Sequence, residues 1–209
     1  MPITLTIQPS TIDNYLDENI QNNNYGTATY VRVGHQFRGI LKFDFSSLPA
    51  GATINTATLN LYYYANEDDP VGRTYWAYRL IQRNWTETGS NWGHYATSTH
   101  WASNGGDYTA TDGASLAVPA GFGWMQWNVL AQVQFAQSYT DKVANFIVKD
   151  GDEGSGKHAN FYSREYTTDT SLCPKLILTY TAGSWTGEMD GVATQEVDGI
   201  AIPEKVDGV

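Results

Sequence analysis

Two alternating segments joined by a turn-rich link, RGILKFDFSSLPAGATINTATLNLYYY from Arg38 to Tyr64, constrain the fold of this 209-residue chain most. In the first, Leu41, Phe43 and Phe45 share one face while Lys42 and Asp44 share the other. In the second, Leu59, Leu61 and Tyr63 alternate with Asn60, Tyr62 and Tyr64. Successive side chains of a strand point to opposite faces, so a period of two predicts a sheet with one face buried. The link Ser46-Ser47-Leu48-Pro49-Ala50-Gly51 supplies residues that turn the chain and interrupt strand pairing.

The same reading extends along the chain. Ile3, Leu5 and Ile7 form an opening strand ended by Pro9, and Tyr30 to Gly34 form another. The stretch from Asp13 to Gly26 is rich in Asn and Asp and reads as a loop. After the turn Glu67-Asp68-Asp69-Pro70, Tyr75 to Gln82 resumes alternation with Trp76, Tyr78 and Leu80 on one side. Alternation then fails from Asn84 to Val118, where Trp85, Trp92, Tyr95, Trp101 and Tyr108 are interleaved with Ser, Thr, Asn and Gly. Irregular stretches of that length are often functional. Strands return at Phe122–Asn128, Ala144–Lys149, Asn160–Arg164 and Lys175–Tyr180, and Val129–Tyr139 is the one helical pattern.

Short strands, tight turns and a single helix predict an all-β fold. We expect an antiparallel β-sandwich of jelly-roll type over residues 1–181, with one short helix, followed by an extended acidic tail over 182–209. A domain of this size buries roughly 70% of its unfolded surface, so its core needs no disulfide or metal. The single cysteine, Cys173, reads as an inert, partly buried thiol.

Formal net charge is -10, and the tail holds half of it: Glu188, Asp190, Glu196, Asp198, Glu204 and Asp207 against Lys205. An acidic chain without a basic stripe is a poor partner for phosphate backbones, which excludes nucleic-acid binding. No apolar run is long enough to span a membrane. The opening MPITLTIQPS has none of the features of a signal peptide. Within the tail, Asp190-Gly191-Val192-Ala193, Asp198-Gly199-Ile200-Ala201 and Asp207-Gly208-Val209 repeat a short unit. Such units cannot fold alone. Either the tail is a solvated segment, or Val192, Val197, Ile200 and Val206 are the apolar points of an arm that adds strands to other subunits.

Several motifs occur in a family-like order: Asn24-Tyr25-Gly26, Val33-Gly34, Arg38, Phe43-Asp44, Leu48-Pro49 and Gly51-Ala52-Thr53-Ile54, then Ala57, Leu59 and Leu61-Tyr62. Trp85-Thr86-Glu87, Trp101, Gly105-Gly106-Asp107-Tyr108, Phe161-Tyr162-Ser163-Arg164-Glu165 and Pro174-Lys175-Leu176 follow. In this order the chain resembles the DNRLRE-domain family, which is also counted among carbohydrate-binding modules, over about residues 10–180. The resemblance implies a non-catalytic β-sandwich module of the kind found on polysaccharide-active enzymes and surface proteins. Some relatives bind acidic polysaccharides such as alginate. The tail units are similar to short repeats ending some phage and prokaryotic surface proteins.

No catalytic constellation stands out, and the chain reads as a non-enzyme. Glu87, Asp107, Asp150, Asp152, Glu153 and Glu165 offer the carboxylates from which a hydrolytic pair would be drawn. His35, His94, His100 and His158 lack metal-ligand spacing. No cofactor is expected beyond a structural calcium, for which Asp13 and Asp107 are the best oxygen sources; alternatively Gly105-Gly106-Asp107 is a plain turn.

Two surfaces suit a glycan. One is an outward row of Lys42, Asn60, Tyr62, Tyr64, Tyr75 and Arg79, whose rings pack on sugar C–H groups while Arg grips a uronate. The other is the irregular stretch, with Trp92, Tyr95 and Trp101 as anchors and Trp85 read as core. The alternative for both is cover of the core or a protein interface. Two settings follow. The first is a virion-type or other extracellular particle surface, where the chain meets a glycan or host surface, docks on other subunits through its tail and is a candidate homo-oligomer. The second is a soluble carbohydrate-binding module of a secreted polysaccharide-degrading protein.

Overall fold

The computed structural model describes residues 1–154 and 156–183, together with the backbone of 194–197 and 200–203. In chain order the strands are β1 (Ile3–Ile7), β2 (Ile12–Asp17), β3 (Tyr30–Gly34), β4 (Phe37–Asp44), β5 (Thr53–Glu67), β6 (Thr74–Leu80), β7 (His94–Ala96), β8 (Thr99–His100), β9 (Tyr108–Ala117) and β10 (Gly123–Asn128). The helix α1 (Leu130–Gln137) precedes β11 (Val143–Asp150), β12 (His158–Tyr162), β13 (Lys175–Thr181), β14 (Thr194–Val197) and β15 (Ile200–Pro203).

The fold is the antiparallel, sandwich-like all-β architecture expected, made from one curled sheet in the order β1-β13-β5-β12-β3-β4-β11-β6-β9. β5 is its spine. Along one edge it pairs first with β13 and then with β12, and along the other with β10. β3 and β4 meet at the single pair Gly34 and Phe37, and that corner carries the sheet into a second layer of β4, β11, β6 and β9, to which β2 adds.

Between the layers lies the main core. Leu59, Leu61, Tyr63, Phe161, Leu176 and Trp127 come from the first layer, and Leu41, Phe43, Phe146, Val148, Tyr75 and Ala77 from the second. The faces of β4 and β5 read from alternation are therefore the faces observed. α1 lies beside the sandwich, with Val133 and Ala136 buried in the core. Its glutamines hold it there: Gln132 Nε2 donates to the Ala77 carbonyl, Gln134 Nε2 to Ile54 and Gln137 Nε2 to Ala52. Buried carbonyls left unpaired would be costly, so these amides both anchor the helix and satisfy the sheet.

Four sequence readings change. Asp13–Asp17 belongs to β2, not to a loop, because Asp13, Asn14, Tyr15, Leu16 and Asp17 are all buried and no polar-apolar alternation marks the strand. Tyr108–Ala117 is strand β9, rich in Thr, Ala and Gly and paired with β6 across a bulge between Ala77 and Arg79. Tyr75, expected to face outward, is fully buried in the main core, and Trp76 and Tyr78 take the outward places. Asn60 has no exposed surface and donates to the Thr58 carbonyl.

In the tail, β14 pairs antiparallel with β15, so that Val197 lies opposite Ile200. Val192 and Val206 lie outside the described residues, as do the side chains of Val197 and Ile200.

Candidate functional site

The irregular stretch does not hang free. It folds back over the outer face of the second layer and builds a second apolar cluster, in which Trp85, Trp92 and Trp101 cover Leu16, Ile40, Leu80 and Ile147. Trp92 is 5% exposed and Trp101 4%. Trp101 Nε1 donates to the Asn91 carbonyl, and the Arg38 guanidinium lies 4.7 Å from the Trp92 ring. These two tryptophans therefore have almost no ring surface for a sugar, contrary to their expected part as exposed anchors. Tyr95 is half-buried against Trp101. Trp85 is core, as read, and donates from Nε1 to Asn145 Oδ1 at 3.1 Å.

Two cations of the expected outward row are also drawn away. Lys42 lies beneath Trp85, its Nζ donating to the Trp85 carbonyl at 2.8 Å and lying 4.9 Å from the ring. Burial, with Arg83 nearby, pushes its ammonium down to about 8. Arg79 shares the face of Tyr75 and Ala77 on β6 and lies 3.7 Å from the Phe135 ring of α1, in a small cleft with Arg83, Gln132 and Tyr139.

Tyr62 and Tyr64 do keep the outward places predicted for them, and the structure surrounds them with rings. With Tyr63, Met125, Phe161 and Val31 in the core, the alternate residues of β5, β10, β12 and β3 point away from it. Register then places Trp124 opposite Tyr62 and Tyr30 opposite Tyr162. Tyr64 stacks on Tyr162 at 4.1 Å with the planes 4° apart, and Tyr162 stacks on Tyr166 at 3.7 Å. Tyr62 lies 5.8 Å from Tyr162 and meets Trp124 edge to face at 5.3 Å. A hydrogen bond with Tyr166, then burial, pushes the Tyr162 phenol up to about 12, so it stays neutral and able to donate.

Two cations flank this stack. Lys175 Nζ lies 3.7 Å over Trp124, and Arg32 lies 5.2 Å over Tyr30. Among the described residues, neither takes part in an ion pair. Trp124, Tyr162, Tyr166, Arg32 and Lys175 were not singled out from the sequence for this role. The parity set by Phe161 and Met125 as core residues is the signal that places Tyr162 and Trp124 outside.

The expected calcium donors do not converge. Asp13 groups with Glu87 and Glu165, with ligand oxygens within 4.8 Å of one another, and Asp107 is not among them. Asp13 is 1% exposed, and its Oδ2 accepts from Ser10 Oγ at 2.6 Å and from the Arg164 amide at 2.9 Å. Burial first, with Glu165 and Glu87 adding, pushes its carboxyl up to about 7. Arg164 lies 3.5 Å from both Glu87 and Glu165 and offsets part of their charge. Asp107 instead closes a turn, accepting from the amides of Ala102 and Ser103. The other acids considered for hydrolysis are held by cations: Asp150 and Asp152 by Arg73, and Glu153 by Arg38 and Lys149. Cys173 is buried beside the Tyr166 carbonyl, and burial raises its thiol.

Comparison with known proteins gives one result for the sandwich. The family model described as carbohydrate-binding module family 96 matches residues 4–180. No curated protein matches the chain.

Proposed function

The chain belongs to carbohydrate-binding module family 96, and from that premise we propose that it binds an acidic polysaccharide on the tyrosine stack of its first layer. The observation that carries this reading is the presence of two cations, Lys175 and Arg32, which take part in no ion pair among the described residues, beside the stacked rings of Tyr62, Tyr64, Tyr162 and Tyr166. Ring edges along the stack and the outer ring faces at its ends accept sugar C–H surface, phenol hydroxyls exchange hydrogen bonds with sugar hydroxyls, and the cations meet carboxylates. Because the whole chain carries net charge -10, an anionic ligand needs such a local positive place. The resemblance to the DNRLRE-domain family leads to the same ligand class.

Of the two settings, family membership supports a module that holds polysaccharide-degrading machinery on its substrate. The particle-surface setting rests on the tail repeats, with the arm through Val192, Val197, Ile200 and Val206 as its docking element. Deleting residues 184–209 decides between them: loss of assembly supports the arm, and an unchanged oligomeric state removes it.

The ligand class is tested by affinity electrophoresis through gels containing polymannuronate, polyguluronate or a neutral glucan. Retardation by a polyuronate that weakens with added salt is the expected result. Equal mobility in all gels contradicts it.

A further inference from the structure

At the edge of the tryptophan cluster, against which Tyr78 and Tyr108 pack, one strip of rings stays partly exposed. There Trp76 and Tyr78 of β6 and Tyr108 of β9 stand in a row, each half-buried. Trp76 and Tyr78 are 5.5 Å apart with their planes 6° from parallel, and Tyr78 and Tyr108 are 5.1 Å apart at 18°. Glycine clears space for two of these rings. A Cβ on Gly113 would lie 2.4 Å from the Tyr78 ring, and one on Gly151 would lie 3.0 Å from Trp76 Nε1.

Both ends of the row open into depressions. At the Trp76 end a hollow of about 430 Å³ is lined by Arg73, Thr74, Gly151 and Asp152. At the Tyr108 end a larger one, about 590 Å³, is lined by Arg38, Ser103, Asn104 and Asp107. Rings in a line between two hollows with polar rims suit an extended chain better than a compact ligand.

The charges of this strip are internally matched, unlike those of the tyrosine stack. Arg38 binds both oxygens of Glu153, at 2.7 and 2.9 Å, and Lys149 shares that carboxylate at 3.1 Å. Arg73 is held by Asp150 and Asp152, and the Asp107 carboxylate is taken by two amides. An anionic chain would find every cation of the strip occupied and carboxylates at both ends, which is a repulsive arrangement.

We propose that the Trp76–Tyr78–Tyr108 strip is a second glycan-binding site, on the opposite outer face, and that it takes an uncharged polysaccharide chain. Ser103, Asn104 and Thr74 offer hydroxyl and amide groups at the rims for sugar hydroxyls, and the rings carry the C–H surface. One module would then hold a neutral and an acidic chain at once, from opposite sides. This site stands on its own residues, and its failure leaves the tyrosine stack untouched.

The test is calorimetric titration of the full chain with cellohexaose, xylohexaose and mannohexaose. The expected result is binding of one or more of these, weakened about tenfold or more in Trp76→Ala/Tyr78→Ala and unchanged in Tyr64→Ala/Tyr162→Ala. Should the groove double variant fail to fold, Ser103→Trp, on the exposed rim, fills the larger hollow and is expected to give the same loss. Absence of binding by all three oligosaccharides overturns the proposal. So does binding that only the tyrosine-stack variant loses, or that Ser103→Trp leaves unaltered.

Discussion

The two outer faces of this sandwich start from the same material and end differently. Each layer turns a row of aromatic and basic side chains away from the shared core. On the second layer, the stretch between β6 and β9 lays Trp85, Trp92 and Trp101 over most of that face, making it a second core. On the first layer the rings of Tyr62, Tyr64, Tyr162 and Tyr166 stack on one another and stay half-exposed at the surface. Aromatic richness alone thus says little about binding. What separates ligand platform from packing is whether another segment reaches the rings, and whether the cations beside them already have partners.

The largest effect expected from breaking this comparison lies in the covered face. Trp85→Ala removes a ring that is 1% exposed, together with its bond to Asn145 and its cover over Lys42. It should cost about 3–5 kcal/mol in urea unfolding. A cost below about 1 kcal/mol would mean that the covering stretch is not a core. Tyr162→Ala, by contrast, should alter stability far less while weakening polyuronate binding about tenfold, since truncation of a central aromatic anchor removes most of its contact energy.

A smaller effect is expected at Gly105, whose φ is +83° and whose Cβ would meet Arg38 at 2.5 Å and Trp92 at 2.8 Å. Gly105→Ala should destabilise by about 1–3 kcal/mol by displacing that cation from the indole. Thermal melting read beside wild type checks it, and an unchanged midpoint would show that the Trp92 lid tolerates rearrangement.

The last concerns Asp13, whose effect is confined to a pH window. Its carboxyl is raised from 3.8 to about 7 in the fold, so the folded state holds this proton more tightly than the unfolded chain. That contribution is complete below about pH 4 and is lost as pH rises through about 7. Glu87, Glu165 and Arg164 face the same carboxyl, so the readout is the difference between wild type and Asp13→Asn. The variant should gain on wild type between pH 4.5 and pH 8 by up to about 3 kcal/mol. A difference independent of pH would contradict the assignment. A rise in wild-type melting temperature with calcium at pH 8 would identify the three carboxylates as a cation site.

Much of the fold was legible because period-two alternation reports directly on a strand with one buried face, as in β4 and β5. It fails where both faces are buried, as in β2, and where small residues and a bulge blur the period, as in β9. Tyr75 and Arg79 were misplaced for another reason: β6 alternates without a break against β11, but aromatic residues stand on both of its faces, Tyr75 on one and Trp76 and Tyr78 on the other, so the pattern does not say which face is buried. For the site, Tyr62 and Tyr64 could be read because their parity follows from Leu61 and Tyr63. Trp92 and Trp101 could not be, because no local pattern reveals that a loop folds back onto a sheet. Nor does sequence say which cations are paired. Lys175 and Arg32 differ from Arg38 and Lys149 only through the carboxylate that happens to lie opposite.

The contrast between the faces is tested most directly by titrating a polymannuronate oligosaccharide into wild type and into Lys175→Glu/Arg32→Glu. The account predicts that charge reversal at these two positions abolishes binding with an unchanged melting temperature. Affinity retained within about twofold would contradict the assignment of the tyrosine stack as the acidic-glycan face.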